Sequence, residues 1–293
     1  MEEIVVKLVE NKKQIINDNR YELPLDIHLL LVEGLNGAGK TTYIRNFTEN
    51  CDQYERIITY RGKGIHPVDL SRIAYFTEKD FKTFLDILFQ DGIVSPKKYI
   101  EKYVLKEDDH ILVNYLPIIG NLDDKSKAVD FARSHELYDG YATPEKFCDA
   151  HLNRWKQFGK TSCSKNTLAI FEAVTLQYPL MELIAFQNKN KEQILSYIKA
   201  CIESVISWNP MLIYLEVRDI EKNIMAVWKE RKHTNNWLVN FKKWLSHSPN
   251  FVSDDNDGIS MVIEFMKKRR EVEHYVINHL DIPVCIITRE DLC

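Results

Sequence analysis

Eight consecutive residues, Gly34-Leu35-Asn36-Gly37-Ala38-Gly39-Lys40-Thr41, fulfil the pattern G-x-x-x-x-G-K-[ST]. Glycines let a backbone curl until successive N–H groups face one centre, which suits phosphate oxygens. A lysine after the last glycine can reach the β- and γ-phosphates of a nucleotide, and the next hydroxyl can hold Mg²⁺. Gly34, Asn36, Gly37, Ala38, Gly39, Lys40, Thr41 and Thr42 therefore form the candidate nucleotide cradle. A second feature is the apolar run Thr167-Leu168-Ala169-Ile170-Phe171 ending in Glu172. A carboxylate delivered this way to a strand end could hold a Mg²⁺-bound water or accept a proton from a substrate hydroxyl. Gln177 is a polar candidate nearby.

These groups need a scaffold. Leu29–Val32 is short and apolar enough for a buried parallel strand, and Thr42–Asn50 can continue as a helix. Such a helix points its partly positive N-terminus at the loop's centre. Arg56–Tyr60 reads as a second strand running into the basic turn Arg61-Gly62-Lys63-Gly64. In an open α/β sheet, ligands sit at the carboxyl ends of strands, so Arg61 leaves the sheet on the loop's side. Residues 66–107 read as helical, with Phe81, Phe84, Leu85 and Leu88 on a core face. His110–Leu116 reads as a strand, Pro117–Asp124 as a loop and Lys125–His135 as a helix. Thr143 can cap a helix that begins at Pro144 and carries His151, Arg154, Trp155 and Phe158. Its cationic, aromatic face could clasp a phosphate or a planar ring, or be an ordinary amphipathic surface.

Further on, helices are expected over 180–185 and 191–207, a buried strand over 211–217, and a helix capped by Asp219. That helix ends in Lys229-Glu230-Arg231-Lys232, either a complement to the helix dipole or a mobile lid. Arg231 is the candidate to reach a moving phosphoryl group, with Lys229 and Lys232 in reserve. Two helices, 235–245 and 259–279, precede a closing strand over 282–288. The basic run Lys267-Lys268-Arg269-Arg270 is interleaved with glutamates and reads as a solvated helix face. The acidic turn 253–258 lacks the spacing and terminal Glu of a calcium loop.

With 293 residues, 45% of them hydrophobic, the chain can bury a sizeable core. A net charge of −4 argues against a nucleic-acid partner. Six scattered cysteines without a C-x-x-C pair suit reduced thiols, hence a cytoplasmic setting. No run approaches the length of a membrane span, and Met1-Glu2-Glu3 carries acid where a signal peptide would carry base. No membrane partner is expected. A homodimer is a possible assembly.

Val32-Glu33-Gly34-Leu35-Asn36-Gly37-Ala38-Gly39-Lys40-Thr41-Thr42 resembles the opening of thymidylate kinases and the wider nucleoside and nucleoside-monophosphate kinase family. Leu212–Val217 with the helix ending in Glu230-Arg231 is similar to the family's fourth core strand and lid, and Ile282–Thr288 to its last core strand. The resemblance implies an α/β, three-layer P-loop NTPase fold with a five-stranded, mainly parallel sheet and the loop strand at its centre. It also implies ATP as donor and Mg²⁺ as metal. Lys40 and Thr41 would serve the phosphates and metal, and Arg231 the lid. Two places depart from the family. Glu172-Ala173-Val174 stands where Asp-Arg and an aromatic are usual, and Arg61-Gly62-Lys63 replaces the Arg-Glu-Pro turn.

The expected organisation is an extension over 1–26, a core over 27–65 and 166–293 with a lid near 228–236, and a mostly helical insertion over 66–165 that shapes the acceptor pocket. The expected activity is ATP- and Mg²⁺-dependent phosphoryl transfer to a small molecule. Lys40, Glu172 and Arg231 would be catalytic, Thr41 and Glu172 would face the metal, and Arg61, Arg154, Trp155 and Gln177 would hold the acceptor. A nucleoside or nucleotide is the first expectation for that acceptor, and an antibiotic or other natural product the second. The competing classes are a regulatory NTPase switch that binds a protein partner and an idle binding module. No guanine-reading N-K-x-D string is present.

Overall fold

The computed structural model describes residues 23–24, 26–60, 66–92, 101–107, 109–120, 126–162, 164, 166–232, 236–251 and 258–288. Most of the expected N-terminal extension, the turn carrying Arg61 and Lys63, and the acidic turn near 254 lie outside them. The chain opens with β1 (Leu29–Gly34), α1 (Lys40–Asn50) and β2 (Arg56–Tyr60). Next come β3 (Ala74–Phe76), α2 (Glu78–Gln90), β4 (Val104–Lys106), β5 (Ile111–Val113), α3 (Tyr115–Ile119), α4 (Lys127–Arg133) and α5 (Pro144–Gly159). The remainder is β6 (Thr167–Glu172), α6 (Gln177–Ala185), α7 (Lys191–Ser204), β7 (Pro210–Glu216), α8 (Ile220–Arg231), α9 (Trp237–Leu245), α10 (Ile259–His279) and β8 (Val284–Thr288). These elements fall into two compact units, one of Arg61–Arg154 and one of the chain on either side of it.

The flanking unit is built on an all-parallel sheet in the order β2-β6-β1-β7-β8. All six residues of β1 are buried, as are nearly all of β6 and β7, whereas the edge strands β2 and β8 are largely half-buried. Burial on both faces explains why the central strands read as unbroken apolar runs. Helices cover both faces of these strands, giving a three-layer α/β arrangement, and α10 packs against α6, α7, α8 and α9. The expected five-stranded sheet with the loop strand at its centre is observed, and it is wholly parallel. At the exit of β1 the chain passes so close to β7 that a Cβ on Gly34 would lie 2.5 Å from the Leu215 carbonyl oxygen.

Local signals placed the helices well. The Asp219 carboxylate accepts from the Lys222 amide at 2.9 Å and caps α8. The Thr143 hydroxyl accepts from the Lys146 amide at 3.3 Å beside Pro144.

The Arg61–Arg154 unit contains a small antiparallel sheet, β3-β5-β4. Its core gathers Phe76, Phe84, Leu88, Ile111, Val113 and Tyr115, so the apolar residues of α2 are core, as expected. Three expectations for this stretch are corrected. Residues 66–73, read as helical, form turns and irregular backbone, in which His66 Nδ1 accepts from the Val68 and Asp69 amides at 3.1 and 3.0 Å. Residues 74–76 and 104–106, read as helical, are strands, because three-residue runs are fixed by pairing with β5 rather than by any local period. Pro117, read as starting a loop, is the third residue of the short helix α3, a first-turn position where a missing N–H costs nothing.

The described cysteines Cys51, Cys148, Cys201 and Cys285 are free thiols. Among the described residues no helix is long and apolar enough to cross a membrane.

Candidate functional site

The loop between β1 and α1 is shaped by its glycines. Gly37 and Gly39 have φ of +82° and +95°, in the left-handed region, and a Cβ on Gly37 would lie 2.1 Å from Val227 Cγ2. Gly39 stands at the N-cap of α1 without a side-chain cap, so the first amides of that helix face the loop. Asn36 is held from α8, where Asn223 Nδ2 donates to its carbonyl oxygen at 2.8 Å.

Lys40, the first residue of α1, is buried and folds back on the loop. Its Nζ donates to the carbonyl oxygens of Gly34 (2.8 Å) and Leu35 (2.9 Å) and to Gln177 Oε1 (2.8 Å). Burial lowers its pKa to about 8, and the Arg269 guanidinium pushes the same way, while Glu33, Glu172 and Glu273 oppose. The Gln177 side chain is positioned by its own turn. After β6 the chain reverses through Ala173 at φ +67°, and the amides of Thr175 and Gln177 donate to the Glu33 carboxylate at 2.7 and 3.1 Å. Glu33 is fully buried, which raises its carboxyl to about 7 against the lowering effect of those amides and of Lys40.

Beside this lysine, the exposed Thr41 hydroxyl donates to Glu172 Oε1 at 2.6 Å. The pair exists because β1 and β6 run parallel with Val32 opposite Glu172, so both strands end at the same edge of the sheet. Two oxygen donors at the mouth of an amide-lined loop fit a hard cation. Mg²⁺ commonly takes only one or two protein oxygens and completes its shell with water and phosphate. Among the described residues no cluster of three or more His, Cys, Asp or Glu side chains could hold a metal by itself.

Gln177, expected to touch an acceptor, is buried against Lys40 and positions the amine instead. Trp155 is wholly buried and packs edge-on against Phe171, with ring centroids 5.9 Å apart, so it is a core side chain. Arg154 is buried and bonded to the Glu107 carboxylate, and it also donates to the His66 carbonyl at 3.3 Å. His151 is buried as well; burial, followed by the neighbouring His66 and Arg154, lowers its pKa to about 3, so it is neutral. The cationic face expected on α5 is thus turned inward. Arg231 is half-buried at the last position of α8, with Lys229 and Lys232 exposed around it. Arg61 lies outside the described residues.

Sequence reasoning missed Arg269. Lys267 and Lys268 are exposed and paired with Glu221 and Glu271, as a solvated face requires. Arg269 is completely buried, with Nη1 donating to Asn36 Oδ1 at 3.0 Å and Nη2 to the Gly34 carbonyl at 3.3 Å. The signal was its place on the apolar stripe Val262, Phe265, Met266, Val272 and Val276, with Glu273 one turn further on.

Compared with protein-family models and with curated proteins, the chain matches none. The geometry of the loop and its neighbours therefore carries the functional reading.

Proposed function

We propose that the chain is a P-loop phosphotransferase that uses ATP and Mg²⁺ and acts on a small acceptor, a nucleoside or nucleotide before an antibiotic or other natural product. The observation that carries this reading is the Thr41–Glu172 hydrogen bond of 2.6 Å beside Lys40, at the C-terminal edge of the central strands. Ligands of open α/β sheets sit at that edge. When bound, Mg²⁺-ATP supplies the transferable phosphoryl group and offsets charge on its oxygens.

The chain's own residues divide the remaining work. Lys40 would exchange the carbonyls of Gly34 and Leu35, both within its own loop, for phosphate oxygens. The amides of the loop and of the start of α1 supply further donors. The oxygens of Thr41 and Glu172 would hold the Mg²⁺. A second role for Glu172 is to hold the acceptor hydroxyl, taking its proton as the oxygen attacks. Arg231 closes from the end of α8 to offset charge on the moving group.

The test is ADP release measured with a panel of nucleosides, nucleoside monophosphates and aminoglycosides, for the wild type and Lys40→Ala. Acceptor-dependent release that Lys40→Ala abolishes supports the proposal. Transfer that survives Lys40→Ala unchanged, or hydrolysis indifferent to every acceptor, overturns it, and the second result points to a nucleotide switch.

A further inference from the structure

The Gly34 carbonyl has two donors, Lys40 Nζ at 2.8 Å and Arg269 Nη2 at 3.3 Å. If Lys40 turns towards phosphate oxygens, a buried carbonyl served by it alone would lose its partner, which is costly. We propose that Arg269 is a positioning residue that keeps Gly34 and Asn36 bonded while Lys40 changes partners, so that the loop holds its shape through nucleotide binding. The exchange by Lys40 rests on the phosphotransferase reading; the grip of Arg269 on the loop does not.

The guanidinium is well placed for this. Its Nε lies 3.0 Å from Glu273 Oε1, and Glu273 Oε2 accepts from the Tyr214 hydroxyl of β7 at 2.6 Å. The guanidinium therefore lies in an ion pair with a carboxylate that Tyr214 ties to the sheet, and both Nη atoms donate to the loop. Glu273 and Tyr214 are themselves completely buried, so the charge of Arg269 is matched within the core. The same charge repels the Lys40 ammonium, which favours its release towards an anion. Only arginine offers several donors in one rigid plane. A lysine could keep the ion pair with Glu273 but could not also reach Gly34 and Asn36.

Arg269→Lys in the full-length chain tests the proposal because it retains the buried charge pair. Hydrogen exchange at the 34–41 amides is measured without ligand, and ATP binding with Mg²⁺ is measured by calorimetry. Loop amides are expected to exchange about tenfold faster, and ATP to bind about tenfold more weakly, the size of one or two lost hydrogen bonds. Exchange in β6 and β8 should be unchanged, and in turnover the loss should fall on the KM for ATP rather than on kcat. Loop exchange and ATP affinity both within about twofold of the wild type, a difference smaller than one hydrogen bond gives, would overturn the proposal. If the lysine variant fails to fold, Asn36→Ala removes one acceptor from the loop side, and unchanged loop exchange there is equally fatal. A wild type that binds no ATP sinks the phosphotransferase reading instead, and loop exchange in the same samples still decides the grip of Arg269.

Discussion

The Thr41 hydroxyl and the Glu172 carboxylate, 131 residues apart in the chain, are joined by a hydrogen bond of 2.6 Å at the mouth of the glycine loop. Neither residue could find the other through local structure. The parallel register of β1 and β6 brings them together, and Lys40 and Gln177 meet beside them for the same reason. Loop, hydroxyl, carboxylate and amine thus share one edge of one sheet, within one compact unit.

On the proposed phosphotransferase reading, removing either oxygen should separate metal use from nucleotide capture. Glu172→Gln keeps the size of the side chain and an acceptor for Thr41 but discards the charge. The proposed phosphoryl transfer is expected to fall by about 10²–10⁴-fold in this variant, the range for a lost acid–base group. Binding of ATP without metal should stay near the wild-type value. Thr41→Ala should move the Mg²⁺ requirement to higher concentration while leaving the saturated rate less affected. A Mg²⁺ titration of ATP affinity and turnover checks both, and a Glu172→Gln enzyme with wild-type rate would remove Glu172 from the mechanism.

Gly37 and Gly39 share a left-handed backbone yet should respond differently to alanine. A Cβ on Gly39 would meet nothing within 4 Å, so Gly39→Ala carries backbone strain alone, about 1–2 kcal/mol. A Cβ on Gly37 would lie 2.1 Å from Val227 Cγ2. Gly37→Ala should therefore cost a further 1–3 kcal/mol or about that, the range for overpacking. Adding Val227→Ala should recover the overpacking part and leave the strain. Urea unfolding of the wild type, the three single variants and the double variant measures this, and strict additivity of Gly37→Ala and Val227→Ala would show that the two groups do not collide.

Much of this arrangement could be read from residue order. β1, β6 and β7 announce themselves as apolar runs because both faces of a central parallel strand are buried. Asp219 and Thr143 mark their helix starts because a cap is a local contact. The strands β3 and β4 gave no such sign, since their pairing with β5 is set by residues distant in sequence. Arg269 was hidden by its charged neighbours, although a helix turns about 100° per residue and so separates it from Lys268 and Arg270. Arg154 and Trp155 looked like a binding face because a helix pattern tells which residues share a side, not which side meets solvent. Gln177 was recognised as part of the site, but its partner, Lys40, depended on the turn tied to Glu33.

The buried Glu33 gives stability a readable pH dependence. Its carboxyl is raised from 4.5 to about 7 by burial. Between those values the folded chain holds a proton that the unfolded chain has released. The contribution of Glu33 is therefore fully present below 4.5 and is lost as pH rises through about 7. Glu33→Gln abolishes this titration. The melting temperature of the variant, taken relative to the wild type, is expected to rise across that window and level off above it. Lys40 acts in a separate range: lowered from 10.5 to about 8, it adds stability as pH climbs between those two values. Scanning calorimetry of both chains in the lower window, where Lys40 stays charged in both, reads Glu33, and a constant offset there would mean that this carboxyl titrates normally.

Arg154 offers a test that separates support from recognition. Its side chain and that of Glu107 are only 8% and 9% exposed, and the two are directly bonded. Removing one member of such a pair leaves an uncompensated buried charge, so Arg154→Met alone should cost about 3–5 kcal/mol. Pairing it with Glu107→Gln removes both charges yet keeps a side chain of the same shape beside His110, whose Nε2 lies 2.6 Å from Glu107 Oε2. The double variant is expected to recover most of the loss, because replacing both members of a buried pair is often close to neutral. Thermal or urea unfolding measures that recovery. Turnover of the same double variant then decides the role of the arginine. A side chain committed to Glu107 and the His66 carbonyl should leave the acceptor KM near its wild-type value. A rise of about tenfold or more at restored stability, the effect of losing a charged hydrogen bond to a ligand, would instead place Arg154 on the acceptor.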